Sequence, residues 1–127
     1  PWDVLTDMVK DYPKIALGGM AGLGAGRQGV IHKWLGQCFA RVWPKPIHGF
    51  AACSKRALRS YPFHSVDASS WELGPTKYGN WRSLGGYASI RGSEHNLRAE
   101  VDWWLKYEKD TRARWAKTWR DVDWDTL

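Results

Sequence analysis

The chain has 127 residues, of which 19 are Lys or Arg and 13 Asp or Glu, with 43% hydrophobic residues, 10 tryptophans and a net charge of +6. That length builds one ordinary domain with a real core, and the aromatic content excludes a disordered chain. Only 2 cysteines exclude a disulfide scaffold, and no apolar run approaches the roughly 20 residues of a membrane span. The opening residues hold neither a basic nor an apolar signal region, so a cytoplasmic protein without membrane contact is the expectation.

In chain order, residues 14–17 form a short apolar run that stops at Gly18-Gly19, as a strand buried on both faces of a parallel sheet would. Between 26 and 42 the residues Val30, Ile31, Trp34, Leu35, Cys38, Phe39 and Val42 recur at helical spacing, and Pro44 and Pro46 end the helix. A second strand is expected over 47–51. A short helix follows, capped by Ser54, running to Leu58 and stopped by Pro62. Residues 63–66 make a third strand. After Asp67 the Ser, Gly and Pro content predicts loops, with one further strand over 87–90. From residue 93 a long helix carries Leu97, Val101, Trp104, Leu105, Trp115 and Trp119 on one stripe, with Trp103 and Trp104 read as packing. The fold class is therefore α/β: three or four parallel strands with crossover helices, then a C-terminal helix. Residues 1–92 form the βα region, and 93–127 the amphipathic helix and acidic tail.

The charges are unevenly placed. Between Asp11 and Asp67 there is no acid, whereas Lys14, Arg27, Lys33, Arg41, Lys45, Lys55, Arg56 and Arg59 all lie there. Such a field suits a polyanion, nucleic acid or a nucleotide, and Arg27, Lys55 and Arg56 are the candidate phosphate contacts. A solvated basic helix face is the plainer alternative.

Four features bear on chemistry. Gly24-Ala25-Gly26-Arg27-Gln28-Gly29 has the form G-x-G-x-x-G, but no acid stands about 20 residues on to hold a ribose, so no dinucleotide cofactor is expected. Gly18 and Gly19 let the backbone approach a ligand at the end of the first strand. Asp67 ends the third strand, where functional groups of parallel sheets emerge, and a carboxylate in a positive field suits a nucleophile or counter-charge; the alternative is a loop cap on the Ser69 or Ser70 amide. His48, followed by Gly49, ends the second strand and offers a hydrogen bond to a ligand, or serves structure alone. His64 is expected to pack, and His32 and His95 to be helical and exposed. Cys38 on the apolar stripe and Cys53 alone give no C-x-x-C, so no metal is expected.

Three strand ends thus present Gly18-Gly19-Met20, His48-Gly49-Phe50 and Ser65-Val66-Asp67-Ala68-Ser69-Ser70-Trp71. Over residues 15–71 this series resembles the last strands of the tRNA-guanine transglycosylase superfamily, in particular the phage and mobile-element members linked to deazaguanine modification of nucleic acid. The closing Arg114-Trp115-Ala116-Lys117 with Trp124 is similar to the tails of the phage-type members. The resemblance implies the C-terminal half of a TIM barrel in which Asp67 is the nucleophile of a base-exchanging pentosyltransferase. It further implies that Gly18 and Gly19 hold the base edge and that His48, Gly49, Ser69 and Trp71 line the substrate, with Trp71 or Trp81 stacking on a nucleotide; no cofactor is expected. A closed barrel takes about 250 residues, so the resemblance implies either a fragment or a half-barrel that pairs with a second polypeptide; a small open sheet is the alternative fold. A non-catalytic basic nucleic-acid-binding module is the alternative function.

Overall fold

Prolines punctuate the first half of the chain at the points where the backbone must leave a helix. The structure, a computed structural model, describes residues 2–20, 25–87 and 94–122. These form two compact units, Pro1–Asp67 with Trp115–Leu127, and Ala68–Arg114.

The first unit opens with a helix the sequence pattern did not predict, α1 (Trp2–Asp11), none of whose residues is fully buried. Tertiary partners hold it: Arg41 lies 4.1 Å from the centre of the Trp2 ring, and Lys45 Nζ donates to the Val9 and Tyr12 carbonyls at its end. Strand β1 (Ile15–Leu17) follows, then α2 (Gln28–Val42), β2 (Ile47–Phe50), α3 (Lys55–Ser60) and β3 (Ser65–Asp67). In α2 the buried positions are Ile31, Leu35, Cys38, Phe39 and Val42, while Val30 faces solvent. Burial pushes the Cys38 thiol up to about 11 against a smaller opposing pull from Arg41. Both α2 and α3 end where the next residue but one is proline. Trp43 and Tyr61 are extended, with ψ of 137° and 135°, as a residue before proline must be. Ser54 caps α3 by accepting from the Ala57 N–H at 3.2 Å.

The three strands form a parallel sheet in the order β1-β2-β3, with Ala16, His48 and Ser65 in one row, and Phe50 level with Asp67 beyond it. Crossover helices join successive strands, as expected. The expectation of burial on both faces is corrected: Ile15, Leu17, Ile47 and Gly49 are buried, whereas Ala16, Phe50 and Asp67 on the alternate face are exposed. A run too short to show alternation, three residues in β1, hid this from the sequence. The third strand also starts two residues later than predicted, and it runs through Asp67.

In the second unit, the segment expected to be loop contains helix α4 (Ser70–Tyr78), which tolerates Pro75 inside it and ends on Gly79 at φ 65°, whose N–H bonds back to the Gly74 and Pro75 carbonyls. Among the described residues no fourth strand joins the parallel sheet. β4 (Asn80–Trp81) and β5 (Gly86–Tyr87) pair antiparallel around a 3-10 turn, and residues 88–90 of the predicted strand lie outside the described residues. Helix α5 (Glu94–Arg120) is the long C-terminal helix. Its buried stripe is rotated from the predicted one. Leu105 is 56% exposed, whereas Glu100 is wholly buried and accepts from the Arg82 and Ser83 amides at 2.9 and 3.0 Å and from the Ser83 hydroxyl at 2.8 Å. Counting only apolar residues misplaced the stripe, because a carboxylate that accepts three hydrogen bonds can occupy a buried position. Trp103 stacks with Tyr107 and meets Trp104 edge-on, which is packing as expected. In the first unit, the end of α5 is tied by Trp115 Nε1, which donates to the Leu58 carbonyl at 2.8 Å.

Candidate functional site

Strand alternation decides what shares a surface. Residues two apart in a strand face one way, so β2 presents His48 and Phe50 together, and β3 presents Ser65 and Asp67. Parallel pairing then brings the four into one patch on the exposed face of the sheet. His48 Nδ1 and Ser65 Oγ are hydrogen-bonded at 2.9 Å, and His48 Nε2 stands 3.5 Å from Asp67 Oδ2. The Phe50 ring meets the His48 ring edge-on, with centroids 4.8 Å apart. The His48 side chain is 22% exposed and that of Asp67 59%, so the imidazole is held while the carboxylate remains open to a ligand.

The second oxygen of Asp67 is also engaged. Oδ1 accepts from the Ala51 N–H at 3.2 Å. Ala51 adopts φ 56°, the one described non-glycine residue with positive φ, a conformation that costs an alanine roughly 1–2 kcal/mol. The carboxylate therefore reaches across to the turn after β2 rather than serving only as a local cap. Sequence reasoning missed both Ser65 and Ala51. Ser65 was legible, standing two residues before Asp67 on the same strand face; nothing in an alanine announces positive φ.

The glycines divide into two kinds. Gly18 is exposed at the end of β1, and a Cβ there would sit 3.6 Å from Phe50 Cδ2, an ordinary contact that puts its backbone beside the patch. Gly19 has φ 85° and open space around it. Gly49 is different: it is buried, and a Cβ would lie 2.6 Å from Ala52 Cβ and 2.8 Å from Phe63 Cε1. It makes room for the core and is turned away from the exposed face. Of the glycine-rich stretch, residues 21–24 lie outside the described residues.

Arg27 is exposed at the start of α2, and Lys55 and Arg56 are exposed at the start of α3. Both helices follow a strand of the parallel sheet in chain order. Two other cations of the acid-free interval, Arg41 and Lys45, are engaged with α1. Ser69 and Trp71 belong to the second unit, at the start of α4, where Trp71 is 47% exposed. His64 is exposed rather than packed, because the backbone before β3 donates to the Ile47 carbonyl and turns the ring outward. Partial burial, then the neighbouring Lys14 and His48, lower its pKa. His32 is half-buried against the Tyr61 ring rather than exposed, since Tyr61 donates to the His32 carbonyl and brings its ring alongside. The His95 side chain lies outside the described residues.

In the first unit an open apolar groove of about 400 Å³ is lined by Phe39, Ala40, Trp43, Tyr61, Pro62 and Thr118, none of them a candidate site residue. Among the described residues no group of three or more His, Cys, Asp or Glu is placed to hold a metal, and no helix is long and apolar enough to cross a membrane. No family model, no curated protein and no solved structure matches the chain.

Proposed function

We propose that the exposed face of β1–β3 is part of a base-exchanging transglycosylase centre acting on a nucleotide or nucleic acid, with Asp67 as nucleophile. One observation carries this: Asp67 is open to solvent on a sheet face, yet its Oδ1 accepts from the amide of a strained Ala51 and its Oδ2 faces His48 Nε2 at 3.5 Å. A carboxylate held in this way is prepared to attack. It adds to the anomeric carbon while the glycosidic C–N bond breaks, and that electron pair leaves with the base, which takes a proton from water. An incoming base, giving up a proton to water, then forms a new C–N bond as the ester bond to Asp67 breaks and the carboxylate regains its pair. Gly18 and Gly19 offer backbone groups to the base edge, and Arg27, Lys55 and Arg56 meet phosphates. Among the described residues β1 and β3 are both edge strands, which fits a second polypeptide that extends the sheet into a barrel.

The test incubates the chain, alone and with a candidate amino-terminal partner, with nucleic acid and a labelled 7-deazapurine. The expected result is label in the nucleic acid, and a loss of at least about a thousandfold in Asp67→Ala. Equal exchange by Asp67→Ala overturns the assignment. The exposed Arg27, Lys55 and Arg56 also support a second reading, a non-catalytic nucleic-acid-binding module. That reading predicts affinity that falls steeply with salt and is indifferent to Asp67, with no exchange.

A further inference from the structure

An imidazole can aim a carboxylate only if the nitrogen facing it carries a proton. A neutral histidine has one N–H to place, and a ring that can turn about its last torsion holds no fixed direction. We propose that Ser65 is a positioning residue that acts through His48: its hydroxyl donates to Nδ1, which fixes the ring as the Nε2–H tautomer and directs that N–H to Asp67 Oδ2. The inference rests on the assignment of Asp67 above and adds to it the residue that holds the holder.

The geometry supplies each link. Ser65 and His48 are register partners on adjacent strands, so their separation is set by backbone pairing, and the 2.9 Å contact follows without either side chain having to reach. The opposite tautomer would donate to Ser65 Oγ and leave the Nε2 lone pair facing a carboxylate oxygen 3.5 Å away, two acceptors with no proton between them. Phe50 restrains the ring on a further side, with its own ring edge-on to His48. The imidazole is thus gripped at Nδ1, flanked by an aromatic ring and left one function, at Nε2. Asp67 in turn lies two residues beyond Ser65 on the same strand face, so the strand that presents the carboxylate also presents the group that orients its partner.

Two readouts test this. Nitrogen NMR of the full chain, with His48 labelled and at a pH where its ring is neutral, is expected to show the Nε2–H tautomer alone, with Nδ1 in the shift range of a hydrogen-bonded acceptor. In Ser65→Ala the Nδ1 resonance moves to that of a bare imine nitrogen and the second tautomer appears; Ser65→Thr, which keeps the hydroxyl, restores the parent spectrum. Ser65→Cys, a much weaker donor of similar volume, gives the Ala result if the Ala variant does not hold its fold. A parent ring protonated at Nδ1, or an unchanged spectrum in the folded Ala or Cys variant, overturns the inference whatever the protein does to nucleic acid. The second readout is base exchange. Ser65→Ala and His48→Gln each lower it roughly ten- to hundredfold, and the double variant is no slower than His48→Gln, since Ser65 acts only through the ring. Multiplying effects overturn the inference. Should Asp67→Ala retain full exchange, the assignment of Asp67 falls while the NMR result still decides the link between Ser65 and His48.

Discussion

Replacing Gly49 by alanine separates a glycine that makes room for the core from one that faces a ligand. Its added Cβ would stand 2.6 Å from Ala52 Cβ and 2.8 and 3.1 Å from two carbons of the Phe63 ring. Non-bonded carbons rest at about 3.5–4.0 Å, so the neighbours must retreat by roughly 1 Å. Phe63 has little room to do so, because its ring meets Phe39 edge-on at 4.9 Å and Phe39 is stacked on Tyr61 at 4.9 Å. Overpacking of this kind costs about 1–3 kcal/mol. Gly49 lies in a strand without positive φ, so the alanine recovers about 0.5 kcal/mol by restricting the unfolded chain. The net loss is about 0.5–2.5 kcal/mol, a fall in Tm of roughly 2–10 °C for a chain of this size. Urea unfolding followed by far-UV circular dichroism should show a lower midpoint at an unchanged slope. Gly18→Ala is the control: its Cβ makes an ordinary 3.6 Å contact with Phe50, and stability should stay within about 0.5 kcal/mol while the new methyl stands beside the exposed patch. If Gly49→Ala is as stable as the parent, or Gly18→Ala is the worse of the two, the division of the glycines is wrong.

Glu100→Gln should destabilise by about 1–3 kcal/mol, since its amide NH₂ would face donors where the carboxylate accepts three hydrogen bonds; amide exchange should report loss of protection at Arg82 and Ser83, and unaltered protection would contradict the arrangement. His64 has a lowered pKa in the fold, first from partial burial and then from Lys14 and His48. Below its ordinary value of 6.5 the unfolded chain takes up the proton more readily than the folded one, so stability falls as pH drops from there; His64→Gln should flatten that part of the urea-midpoint profile, and an identical slope would refute the cause. Ala51→Gly should relieve φ 56° and raise stability by up to about 1 kcal/mol, while keeping the N–H that Asp67 accepts; a loss of stability would mean that the alanine side chain has a packing role.

The order of strands and helices in the first unit was legible because each boundary carries a physical marker: Ser54 as a cap, and the Trp43-Pro44 and Tyr61-Pro62 pairs as stops. The elements that were not legible are those whose stability comes from distant residues. α1 leans on Arg41 and Lys45, more than thirty positions away, and no pattern within its own ten residues requires it to be helical. α4 contains Gly74 and Pro75, both poor helix residues, and its closing bonds to Gly79 override them. The candidate site followed the same division. His48 and Asp67 could be proposed from their places at strand ends, but the contact between them depends on the register of β2 and β3, which sequence does not display.

The exposed face of the sheet carries the remaining argument. A parallel sheet is ordinarily covered on both faces, and the buried face here has what such a sheet needs, in Ile15, Leu17 and Ile47. The other face has Ala16, His48, Phe50, Ser65 and Asp67, too polar for an apolar cover and too interconnected for a solvated surface. Asp67 buries little, and the amide it accepts from is held at a φ that alanine disfavours, so packing stability does not account for the arrangement. Asn at position 67 would retain an acceptor for the Ala51 N–H and cost the fold little. What Asn lacks is the negative oxygen that His48 faces and that a nucleophile requires, which is why the charge, rather than the hydrogen bond, is the property on which the proposed activity depends.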